Sequence, residues 1–136
     1  MKKPEKIVVV GGVAGGMSAA ARARRLSESA QIVVLERDAY VSFANCGMPY
    51  HVGGEIKDRS ALLVQTPASL AENLNLDVRV GNEVVGIDPG AKTVTVRNLN
   101  DGTTYTETYG KLVLATGASP LRPSLPGIDY PLVHTL

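Results

Sequence analysis

The sequence contains no tryptophan, one phenylalanine and one cysteine in 136 residues. So few aromatic rings leave no platform on which nucleic-acid bases could stack. A single thiol excludes an internal disulfide, and a chain built without one suits a reducing, cytoplasmic compartment. Charge of either sign is also short: 14 basic and 13 acidic residues give a net +1, so neither nucleic acid nor a membrane surface is expected as a partner. No apolar run approaches the roughly 20 residues that a membrane-spanning helix needs. Residues 1–6 are charged, but the apolar run that follows breaks at once on glycines, unlike a secretory signal. His51 and His134 stand far apart, and no His, Cys, Asp or Glu cluster has metal-ligand spacing, so no metal site is expected.

Hydrophobic residues make up 44% of the chain, enough for the core of one domain. Lys6–Val10 is a short β-branched run ending in glycines, the pattern of a buried parallel strand. Residues 17–29, rich in alanine and arginine and free of proline and glycine, predict a helix. Gln31–Glu36 reads as a second buried strand, which completes a βαβ unit. A short helix is predicted at 67–76, with Thr66 as its cap and Pro67 in its first position. Asp77–Val80 is a third strand of the same sheet.

The pattern then changes. Residues 83–88, 93–98 and 103–108 are strand-like runs separated by Pro89-Gly90 and Asn100-Asp101-Gly102, and Asp-Gly between alternating runs signals a hairpin. A three-stranded antiparallel meander is therefore expected before a last buried strand at 111–115. The fold class is α/β, a Rossmann-like central parallel sheet with an added meander. After Ser119 come Pro120, Pro123, Pro126 and Pro131 with little periodicity, the composition of a connector. No new element begins before Leu136, so the chain is expected to be part of a longer protein.

Gly11-Gly12-Val13-Ala14-Gly15-Gly16 lies between the first strand and the helix, where a dinucleotide-binding turn belongs. Helix N-termini attract phosphate because free N–H groups converge there. Glu36, closing the second strand, stands where an acidic residue accepts hydrogen bonds from a ribose. Val13 replaces the middle glycine of the usual pattern, and a tight strand-to-helix turn is the alternative reading. Ala115-Thr116-Gly117-Ala118-Ser119-Pro120 follows the last strand. It is either a ligand-facing sheet edge or an ordinary turn.

Cys46 sits in Ser42-Phe43-Ala44-Asn45-Cys46-Gly47-Met48-Pro49-Tyr50, among polar and turn-forming residues rather than in an apolar run. That setting favours a reactive thiol over an inert one. Residues 47–52 could begin a helix with Cys46 in its first turn, which would stabilise a thiolate, the nucleophile of sulfur exchange. Ser42 and Asn45 could hydrogen-bond a substrate or the thiolate, or merely cap the turn. Ser18, Arg22 and Arg25 follow i, i+4, i+7 spacing on one helix face. Two guanidiniums there suit phosphate recognition, and the alternative is a solvated basic face with Arg24 and Arg25 paired to Glu28.

Together the glycine turn, the cysteine motif and Ala-Thr-Gly-Ala-Ser-Pro resemble the FAD- and NAD(P)H-dependent pyridine nucleotide-disulfide oxidoreductase superfamily. Within it they resemble the single-cysteine branch that holds coenzyme A-disulfide reductases, coenzyme A persulfide and polysulfide reductases, and NADH oxidases and peroxidases. The resemblance covers the whole chain and implies an N-terminal portion. Residues 1–118 would open the FAD-binding domain, and 119–136 would lead toward an NAD(P)H-binding domain not present in the chain. A homodimer is implied for the full-length protein, with exposed apolar surface here where the other parts dock.

Members with an internal redox disulfide carry two cysteines separated by four residues. Here His51 holds the second position, which implies that Cys46 alone passes electrons to an external substrate. Oxidases and peroxidases carry a histidine where Ala14 stands, so a sulfur substrate is implied ahead of oxygen or peroxide. A non-catalytic nucleotide-binding fragment and a plain dehydrogenase are the other readings, and the second leaves the cysteine motif unexplained. FAD contacts are implied for Gly11, Val13, Ala14, Gly15, Gly16, Glu36, Arg37, Thr116 and Gly117. Coenzyme A contacts are implied for Ser18, Arg22, Arg25, Ser42 and Asn45.

Overall fold

The computed structural model describes residues 4–135. Four short strands form a parallel sheet: β1 (Lys6–Val10), β2 (Gln31–Glu36), β3 (Asp77–Val80) and β7 (Lys111–Leu114), in the order β3-β2-β1-β7. Between β3 and β7 the chain makes β4 (Asn82–Asp88), β5 (Thr93–Asn98) and β6 (Thr104–Thr108), a separate antiparallel sheet. The predicted βαβ unit and meander are both present.

Side chains alternate across a strand, so β1 and β2 supply two cores at once. Val9, Ile32 and Val34 face the helices α1 (Ala14–Leu26) and α3 (Pro67–Leu74), packing with Met17, Ala20, Leu70 and Leu76. Val8, Val33 and Leu35 face the other way, onto Val94 and Val96 of the meander. The result is three layers, with helices and meander on opposite faces of the parallel sheet. Being covered on both sides explains why β1 and β2 read as unbroken apolar runs.

Element ends differ from expectation where backbone geometry overrides composition. The first helix spans Ala14–Leu26 rather than 17–29, because Gly15 and Gly16 form its first turn and Ser27 turns extended at φ −151°. The second predicted helix ends at Leu74, since Asn75 adopts the left-handed conformation at φ 47°. Its cap is as read: Thr66 accepts from the Ser69 N–H and the Ser69 hydroxyl accepts from the Thr66 N–H. The strand expected to be buried at 111–115 is instead an edge strand, Lys111–Leu114, with Leu114 59% exposed. Pairing on one side only leaves its other flank open.

From 119 to 135 the chain makes turns without helix or strand, and Leu121 and Leu132 are exposed. Among the described residues no helix is long and apolar enough to cross a membrane.

Candidate functional site

β1 delivers the chain into the glycine turn at the carboxyl edge of the parallel sheet. Gly11 is held at φ +98°, and a Cβ there would collide with the Ala115 carbonyl, so this close approach demands glycine. Gly16 is buried directly over the Gly11 carbonyl, which seals α1 against the strand. Gly15 is different. A Cβ there would meet only the Ala115 methyl, at 3.6 Å, so packing within the protein does not require its bareness. The absent side chain leaves a cradle open to a ligand.

Val13 occupies the cap position of α1, and no side chain caps that end. The first turn also lacks an acidic residue, so its free N–H groups and the positive end of the helix dipole face outward. Glu36 is 5% exposed; its carboxylate accepts from Gly12 N–H at 2.7 Å and from Asp38 N–H at 2.8 Å. It thereby ties the glycine turn to the end of β2, and the residue lines a cavity.

That cavity, about 290 Å³, is lined by Gly11, Val13, Glu36, Arg37, Thr116 and Gly117, all expected to bind the cofactor. Ala14, Gly15 and Gly16, also expected to bind the cofactor, follow Val13 as the first turn of α1 but do not line the cavity, and Gly16 is buried. An uncapped helix end, a bare glycine and a buried carboxylate fit a dinucleotide diphosphate and its ribose. Asn82, Glu83 and Val84 of β4 form the far wall and were missed in the sequence. The meander brings them there, and nothing in their local spacing signals it.

Cys46 is exposed, in a 3-10 turn (Asn45–Gly47) that leads into the five-residue helix α2 (Met48–Val52). It precedes α2 rather than standing in its first turn, because the chain tightens into i to i+3 bonding before Met48. The turn is held against the segment Leu62–Leu63. Ala44 N–H donates to Leu62 at 2.8 Å, Phe43 bridges Leu63, and Gly47 fits tightly over the Leu62 side chain. Asp58 caps the neighbouring 3-10 turn, Arg59–Leu62, and the Ser60 N–H bound to its carboxylate holds it below the ordinary range. His51 donates through Nδ1 to the Ile56 carbonyl at 2.7 Å, a bond that closes the loop after α2.

Ser42 and Asn45 do not cap this turn, since Ala44 holds the cap position with no side-chain bond. Ser42 instead takes a positive φ of 50°, an uncommon conformation for serine. Its N–H donates to the Gly12 carbonyl at 2.8 Å, and its carbonyl accepts from Val64. The cysteine loop is thus anchored to the glycine turn. Asn45, expected with the substrate, instead lines the same cavity as Gly11 and Glu36.

A second cavity, about 550 Å³, opens between α1 and α3 and is lined by Ser18, Arg25 and Ser42 with Gln65, Ser69 and Asn73. Arg22 is exposed but does not line it. Ser18 and Arg25 are two turns apart and lie within about 20° of each other around the helix, whereas Arg22 is rotated about 40° to the other side of Ser18. Ser69 and Asn73 are also i, i+4 on α3, a spacing that could have placed them on one face. Arg24 does not join the basic face. It is buried and donates to the carbonyls of Leu74, Asn75, Ser27 and Glu28, so its expected pairing with the Glu28 side chain is replaced by backbone bonds. Among the described residues no three His, Cys, Asp or Glu side chains gather as metal ligands.

Residues 5–136 match the family described as pyridine nucleotide-disulphide oxidoreductase. A coenzyme A disulfide reductase of Staphylococcus epidermidis is 41% identical over 86% of this chain, and one of Staphylococcus aureus is 42% identical over 84%. The chain spans about a quarter of their length, 27% and 26%. Among solved structures, the reduced Bacillus anthracis CoADR-RHD is 54% identical with a TM-score of 0.87, over 93% of this chain and 23% of that one. An NAD-dependent persulfide reductase from A. fulgidus is 38% identical with a TM-score of 0.85, over 91% of this chain and 23% of that one. A water-forming NADH oxidase from Lactobacillus brevis is 36% identical with a TM-score of 0.83, over 92% of this chain and 28% of that one. With the family match running from the first strand through the glycine turn, the cysteine loop and the final segment, the chain belongs to the pyridine nucleotide-disulphide oxidoreductases.

Proposed function

We propose that the full-length protein is a cytoplasmic, NAD(P)H-dependent flavoprotein that reduces coenzyme A disulfide, coenzyme A persulfide or a related polysulfide through Cys46. The observation that carries this reading is the position of Cys46: an exposed thiol whose neighbour Asn45 lines the dinucleotide cavity and whose loop contributes Ser42 to the second cavity. One turn of chain thus joins a nucleotide site to a polar groove bearing a guanidinium.

Gly11, Val13, Ala14 and Gly15 would hold the FAD diphosphate, Glu36 and Arg37 the adjoining ribose, and Thr116 and Gly117 the opposite lip. When bound, FAD supplies the two-electron couple that links NAD(P)H oxidation to disulfide reduction. Arg25, with Ser18 and Ser42, would orient the phosphorylated end of coenzyme A, and Arg22 could reach it from the rim. The Cys46 thiolate attacks one sulfur of the bound disulfide, forming a mixed disulfide and expelling the other half as thiolate. Two electrons and one proton then break the mixed disulfide, restoring the Cys46 thiolate and releasing the second half as thiol. In this reading residues 1–118 open the FAD domain, 119–136 connect to the NAD(P)H domain, and the full-length protein is a homodimer.

In the full-length protein, Cys46→Ser should keep the bound-flavin absorption bands. It should lower NAD(P)H oxidation with coenzyme A disulfide or persulfide by at least about 10³-fold. Turnover preserved in that variant would show that Cys46 is not the electron carrier. A wild-type enzyme that consumes only oxygen would assign the oxidase reading instead.

A further inference from the structure

Across the parallel sheet the carboxyl ends of three neighbouring strands contribute in turn to the dinucleotide cavity. β1 gives the glycine turn, β2 gives Glu36, and Asn82 follows β3. If the diphosphate sits at β1 and a ribose at Glu36, the nucleoside half reaches toward the end of β3. Asn82 is the amide waiting there, and its orientation is fixed by a hydrogen-bond relay from outside the cavity.

The direction of that relay follows from chemistry at both ends. Arg79 can only donate, and its Nη1 donates to the Tyr105 hydroxyl oxygen at 3.2 Å. The single Tyr105 hydroxyl proton therefore goes to Asn82 Oδ1, 2.8 Å away. At the other end the Val80 carbonyl can only accept, so it must face the Asn82 amide nitrogen, and Nδ2 stands 2.9 Å from it. Both constraints select the same amide orientation. One Nδ2 hydrogen is used on Val80, and the second has no partner among the described residues, on a side chain that lines the cavity.

Arg79 is itself held. It donates to Asp77 and to Glu107, and Glu107 also accepts from Lys6 of β1. The relay thus begins from an ion-pair cluster shared by β1, β3 and β6. Next to Asn82, a break in the β4–β5 register between Val84 and Gly86 bends the cavity wall.

We propose that Asn82 donates this second hydrogen to an acceptor on the nucleoside half of the bound dinucleotide, with Tyr105 and Arg79 as positioning residues. The inference rests on the dinucleotide reading of the cavity. The test uses the flavin-depleted full-length protein titrated with FAD and with ADP, which carries only the adenosine and diphosphate. Tyr105→Phe and Asn82→Ala should each weaken both ligands about 3- to 10-fold, the worth of one hydrogen bond. The double variant should be no weaker than Asn82→Ala alone, because the two residues act in series. Unchanged affinities, losses that add in the double variant, or a loss confined to FAD would each overturn the proposal. A wild-type protein that binds neither ligand would overturn the dinucleotide reading itself, and the inference with it.

Discussion

Gly11 and Gly15 are four residues apart and alike in sequence, yet the structure asks different things of them. At Gly11 both the positive φ and the Ala115 carbonyl forbid a side chain. Gly11→Ala should destabilise the fold by about 2 kcal/mol or more, read from denaturant unfolding with and without cofactor. At Gly15 a methyl group meets no obstacle within the protein and adds helix propensity, so Gly15→Ala should leave the flavin-free protein as stable or up to about 1 kcal/mol more stable. Its cost should appear only in binding, as about a tenfold or greater loss of FAD affinity. If Gly15→Ala bound FAD normally, the cradle would not be the phosphate site. The sequence shows a cluster of glycines but not which of them the packing requires to be bare. That division depends on Ala115, which lies 100 residues along the chain from Gly15.

At the scale of elements, α1 and α3 are joined through Arg24. Its guanidinium gathers carbonyls that the ends of both helices leave unpaired, and its stem is buried between them. Arg24→Met keeps the apolar stem and removes the donors, and should cost about 3 kcal/mol of stability. The neighbouring exposed Arg25→Met should change stability by no more than about 0.5 kcal/mol. Equal losses for both would show that Arg24 is not a clamp. Most elements were legible in the sequence because their signals are local: β-branched runs, a capped helix at Thr66, Asp-Gly in a hairpin. The early start of α1 was not, since Gly15 and Gly16 read as helix breakers until the turn beneath them is known. Edge placement of β7 was not either, because strand order is a property of the whole sheet. For the same reason Ser18, Arg25 and Ser42 were expected to contact a substrate, but nothing in the sequence groups Ser69 and Asn73 with them around one cavity.

For the molecule as a whole, the meander is secured to the parallel sheet by Val94 and Val96 and by the Lys6–Glu107–Arg79 cluster. Burial works against the Glu107 carboxylate, but hydrogen bonds from Lys6 and Arg79 outweigh it, holding the group below the ordinary glutamate value of 4.5. The group is thus more acidic folded than unfolded. Its stabilisation is complete above about pH 4.5 and is lost as pH falls through the depressed folded value. Glu107→Gln should therefore be less stable than wild type by about 2 kcal/mol at pH 7, with the gap closing below pH 4.5. A gap that stayed constant down to pH 3 would mean that Glu107 acts by shape rather than charge.

The contact between Gly11 and Ala115 also sets an order of events during synthesis. Gly11 leaves the ribosome well before the strand that closes over it, which arrives only after the helices and the whole meander have been made. A nascent chain carrying just the glycine turn and Glu36 has the cavity with one wall missing. If the proposed dinucleotide reading holds, cofactor capture waits for β7, and until that moment the apolar edge of β1 is open to the wrong partner strand.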